Sequence, residues 1–113
     1  MVTFNPDKAD QSAGFDYQLA RLIALADDMK RIRAGVPPEL LAVDPPILER
    51  WVLASRPVPC LAGLSFGHPV LQGEARPIFT SDLCLIADDH SWARTLSRWY
   101  RLGRPADSPL GDS

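Results

Sequence analysis

Four arginines, Arg94, Arg98, Arg101 and Arg104, crowd one short stretch with Trp99 and Tyr100, and no acidic residue lies among them. Read as a helix, the stretch sets Arg94, Arg98 and Arg101 one turn apart on one face, with Arg104 just past the end. A guanidinium fork grips a carboxylate or phosphate through two hydrogen bonds, and a partly exposed Trp99 or Tyr100 stacks on a base or fills a partner's pocket. These six residues form the candidate binding set. The plainer alternative is a solvated helix face whose cations suit the helix C-terminus or pair with Asp82, Asp88 and Asp89.

Two other groupings carry less. Cys60, His68, Cys84 and His90 have ligand chemistry, but their intervals match no familiar zinc motif, so both cysteines read as reduced, metal-free, small buried residues. His68, Ser81 and Asp82 supply the residue types of a base, a nucleophile and an acid, and Cys84 adds a second nucleophile. Nothing marks Ser81 as a strained elbow or provides an oxyanion hole. Gly63 and Gly67 lack the lysine and following helix of a phosphate loop. No catalytic residue and no cofactor is therefore expected.

The elements that must position these residues follow from periodicity. Phe15, Leu19, Leu22, Ala26 and Met29 recur at steps of four and three, which predicts a helix from Phe15 to Ala34 with Ser12 as N-cap. Gly35, Pro37 and Pro38 stop it. Val36 to Pro46 reads as a proline-braced connector with one short turn. From Trp51 the pattern changes to short apolar runs, Trp51 to Ala54, Val58 to Phe66 and Ile78 to Ala87, which read as strands, the second and third pairing antiparallel. Asp88, Asp89 and Ser91 offer N-caps for a last helix from Ser91 to Leu102, on which Trp92, Leu96 and one of Trp99 or Tyr100 are buried. Residues 1–11 and 105–113 read as flexible tails around one domain at 12–104. The expected fold is α+β: a small antiparallel sheet of two to three strands packed with an N-terminal and a C-terminal helix.

Composition bounds the rest. The chain of 113 residues is 46% hydrophobic and 23% charged, the balance of an ordinary globular domain. Its net charge of -2 exerts no general pull on nucleic acid or anionic membrane. Met1 to Asp10 lacks the basic start and apolar stretch of a secretory signal, and Pro57 to Phe66 is too short and broken to span a bilayer. A cytoplasmic location without membrane attachment is expected.

Arg56 to Cys60, Gly67 to Pro69, Thr80 and Ser81, and the block Trp92 to Gly103 together resemble an uncharacterised family of short bacterial proteins, domain of unknown function 6634. The resemblance implies a bacterial source and assigns no activity, cofactor or catalytic residue. The residues themselves favour a non-catalytic binding or regulatory module that contacts an acidic protein partner through its arginine-bearing last helix. A small enzyme built on His68, Ser81 and Asp82, or a nucleic-acid-binding accessory protein, is the alternative.

Overall fold

A computed structural model of the chain describes residues 1–70, 73 and 75–106. The expected tail at 105–113 thus falls mostly outside the described residues. Contacts divide the chain into two units, Ser12–Arg56 and a second one made of Met1–Gln11 with the chain from Pro57 onward.

The first unit is built on one long helix, α1 (Ala13–Arg33). Its start is set by Ser12, whose Oγ accepts from the Phe15 N–H at 3.1 Å and so satisfies one of the free amides of the first turn. Its end is a Schellman arrangement: Gly35 N–H donates to the Ile32 carbonyl and Val36 N–H to that of Arg31. Gly35 has φ of 90°, a conformation that glycine adopts without a Cβ penalty. The connector then forms a single turn, α2 (Pro38–Leu41), opened by a proline that needs no amide partner there. Trp51 to Ala54, expected as a strand, lies outside any strand or helix.

The second unit is β structure. Its strands are β1 (Val2–Phe4), β2 (Ala62–Ser65), β3 (Arg76–Phe79), β4 (Leu83–Ala87), β5 (Trp92–Thr95) and β6 (Trp99–Arg101). β2 and β3 form an antiparallel pair, and the other four make a sheet in the order β1-β4-β5-β6. β4, β5 and β6 run antiparallel in sequence, whereas β1 joins β4 in parallel, with Val2 opposite Leu85 and Phe4 opposite Ala87. The run Ile78 to Ala87 is therefore split between two sheets.

The expected architecture is overturned here. The sheet has four strands plus a separate pair, one of its pairings is parallel, and among the described residues no helix follows it. The segment Ser91 to Leu102 is the hairpin β5–β6, closed by Leu102 N–H donating to the Ser91 carbonyl at 3.0 Å. Its turn depends on Thr95, which is 1% exposed. The Thr95 hydroxyl accepts from the Ser97 and Arg98 amides and donates to the Arg98 carbonyl, each at 3.2 Å. That side chain offers the backbone a local alternative to helical hydrogen bonds. Leu96, expected in the core, sits in this turn at 70% exposure. Val2–Phe4, inside the stretch read as a tail, is a strand, and Gln11 ties down the loop after it by bonding both the amide and the carbonyl of Asn5.

Among the described residues the buried set is Leu83, Ala87, Ala93 and Thr95. A bulge between Leu83 and Leu85 sets Leu83 opposite Thr95 and Leu85 opposite Arg94. Since neighbouring β5 residues face opposite ways, the bulge sends these two leucines to different faces of the sheet.

Candidate binding face

Residues directly opposite in an antiparallel ladder share a face. In the β5–β6 hairpin Trp92 lies opposite Arg101 and Arg94 opposite Trp99, so the four make a two-by-two pattern in which each arginine stands across the ladder from a tryptophan. Arg101 Cζ stands 4.8 Å from the centre of the Trp92 ring, a cation–π contact. The two indoles meet edge to face on the diagonal, 6.3 Å apart at 88°. Phe4, from the opposite edge of the sheet, adds a second edge-to-face contact with Trp99 at 5.8 Å. Both edges thus lean over one face, and fully buried Ala87, opposite Phe4, has a side chain small enough to let them. Trp99 remains 50% exposed.

The arrangement joins fixed aromatic surface to two cations whose planes suit carboxylates. Among the described residues neither Arg94 nor Arg101 has an ion-pair partner, so Asp82, Asp88 and Asp89 do not neutralise them. Asp89 is used locally instead. Its Oδ1 accepts from both the amide and the hydroxyl of Ser91, which lowers the Asp89 pKa and shapes the β4–β5 turn.

The remaining candidates lie elsewhere. Tyr100, opposite Ala93, is on the other face, where its hydroxyl is 3.4 Å from His68 Nε2. His68 Nδ1 accepts from the Val70 amide at 3.1 Å, so in the neutral ring the proton sits on Nε2 and is donated to Tyr100. Desolvation first, then the nearby Arg98 charge, hold the His68 pKa below its ordinary value. Arg98 is in the β5–β6 turn, and Arg104 lies beyond β6 and exposed. The single arginine face required a helix; on strands and a turn the same spacing scatters it. Trp92 and Phe4 are the members that sequence reasoning missed. Their signal was the alternation of Val2-Thr3-Phe4 and of Trp92-Ala93-Arg94-Thr95.

The other groupings do not assemble. Ser81 Oγ is bonded to Ser97 Oγ at 2.8 Å, and among the described residues no hydrogen bond links it to His68 or Asp82. Cys60 is exposed and Cys84 half-buried, both as free thiols. Among the described residues no group of three His, Cys, Asp or Glu side chains is placed to hold a metal ion, and no helix is long and apolar enough to cross a membrane.

A split chain with one capped helix and a four-stranded mixed sheet carrying an arginine–tryptophan face is the class that these features define. The chain belongs to the family of unknown function DUF6634, whose family model matches residues 10–111. No curated protein and no solved structure matches it.

Proposed function

We propose that this chain is a non-catalytic binding module and that Trp92, Arg94, Trp99 and Arg101 hold an acidic segment of a partner protein. The observation that carries the reading is the placement of each arginine across the ladder from a tryptophan on one face, with Arg101 stacked on Trp92 and, among the described residues, no carboxylate paired with either cation. Tryptophan and arginine are the residue types that concentrate binding energy at interfaces, and a preassembled set costs little ordering on contact. The net charge of -2 favours a protein over nucleic acid, whose binders carry a broad basic field. Half-exposed Trp99 could also stack on an unpaired base, which makes single-stranded nucleic acid the second reading. A bacterial, cytoplasmic setting is part of the same proposal.

Tryptophan fluorescence decides between these readings when the protein is titrated with a glutamate-rich peptide, its glutamine counterpart and a single-stranded oligonucleotide. The glutamate peptide is expected to bind, more weakly as salt rises, and the Arg94→Gln, Arg101→Gln double variant is expected to lose that binding. Equal binding of the glutamine peptide contradicts a charge-based site. Binding of the oligonucleotide alone transfers the face to the second reading.

A further inference from the structure

Phe15, Leu19, Leu22, Ala26 and Met29 occupy alternating a and d positions of a coiled-coil seam along α1. Ile23 widens the stripe on one flank, and Leu25 and Ile32 on the other. Yet α1 buries none of its residues: Leu19 and Leu22 are each 47% exposed and Met29 62%. α2 does not cover the seam. Pro38, Leu41 and Ala42 border a shallow hollow with Asp28 and Ile32, to one side of the a and d row. A helix draws most of its stability from packing its apolar face, so this one calls for a partner surface of its own length, roughly 30 Å at about 1.5 Å per residue.

The flanking charges say which surface. With Leu19 and Ala26 at a, and Phe15, Leu22 and Met29 at d, the e positions are Asp16, Ile23 and Lys30. An antiparallel pairing sets a against d, Leu19 on the second copy's Met29 and Leu22 on its Ala26. It also sets e against e. Asp16 then meets Lys30 of the other copy, twice by symmetry, and Ile23 meets its own counterpart. A parallel pairing sets g against e, Gln18 on Ile23 and Leu25 on Lys30, and joins no opposite charges. The helix is thus self-complementary in one direction only, as a two-fold interface requires.

We propose that α1 pairs antiparallel with α1 of a second copy, making the protein a homodimer through the Leu19, Leu22, Ala26 and Met29 seam. Sedimentation equilibrium of the full chain tests this, with a mass of twice 12.5 kDa expected at micromolar concentration. Asp16→Lys and Lys30→Asp are each expected to weaken the dimer, by roughly 3- to 30-fold for two exposed ion pairs lost, and the combined charge swap to restore it. Circular dichroism confirms that each variant keeps its helix. In a chain with Cys60→Ser and Cys84→Ser, Ile23→Cys is expected to cross-link two copies on oxidation, and Tyr17→Cys, on the outer side of the helix, is not. A monomeric wild type overturns the proposal, because the stripe is then covered by something other than a second copy. A dimer indifferent to both charge changes, or without the Ile23→Cys cross-link, overturns it equally.

Discussion

Arg94 lies directly opposite Trp99 across the β5–β6 ladder, and this pairing exists only because the chain turns back at Thr95. The candidate face therefore depends on one buried hydroxyl that touches none of its residues' side chains.

Thr95→Val keeps the shape of the side chain but leaves the Ser97 and Arg98 amides without their acceptor, while the Arg98 carbonyl keeps only the bond from the residue 95 amide. The expected loss is about 1 to 3 kcal/mol, the cost of stranding polar groups in a partly buried turn. Thr95→Ser retains the hydroxyl and loses one methyl, about 1 kcal/mol. Urea denaturation ranks the two, and a valine variant as stable as the serine one contradicts the role given to Thr95.

Ala93 is fully buried, with Ile86 on one side of it in the register and Tyr100 on the other. Ala93→Leu is expected to destabilise by about 1 to 3 kcal/mol through overpacking. Leu96→Ala, in the exposed turn, is expected to stay within about 0.5 kcal/mol. A helix from Ser91 to Leu102 demands the reverse order, so thermal denaturation of this pair of variants separates the two structures.

The sequence revealed α1 because three independent signals agreed: a period near 3.6, a serine that caps, and glycine with prolines that stop. At Ser91 to Leu102 the signals conflicted. Trp92, Leu96 and Trp99 are spaced by four and three as on a helix, while Trp92 to Thr95 also alternates as a strand does. Asp89 bonding to Ser91 has the same side-chain-to-amide chemistry whether it opens a helix or shapes a β-turn. The deciding feature was Thr95 followed by a short polar turn, which favours strand over helix only once the pairing with β4 is known. β1 escaped notice because its alternation, Val2-Thr3-Phe4, is only three residues long and its partner β4 lies far along the chain.

Among the described residues two ionisations are displaced downward in the folded protein, and both act in the same direction. His68 binds its proton less readily than the ordinary 6.5, through desolvation and then Arg98. The unfolded chain holds the extra proton, so the His68 contribution is present above pH 6.5 and is lost as pH falls through the folded pKa. Asp89 repeats this below the ordinary 3.8, through its bonds from Ser91. Following the His68 ring by NMR, Arg98→Gln is expected to raise its pKa without bringing it to 6.5, because desolvation is the larger cause. A full return to 6.5 contradicts that order. Ser91→Ala is expected to raise the Asp89 pKa only partway, since the backbone amide bond remains.

The proposed binding of acidic chain rests on the Trp92, Arg94, Trp99 and Arg101 face. Amide and indole chemical shifts of the labelled protein, followed during titration with a glutamate-rich peptide, test it most directly. The expected result is saturable movement of the Trp92 and Trp99 indole signals and of Arg94 and Arg101, with Tyr100 and His68, on the opposite face, unmoved. Movement confined to Tyr100 and His68, or none at any peptide concentration, contradicts the account.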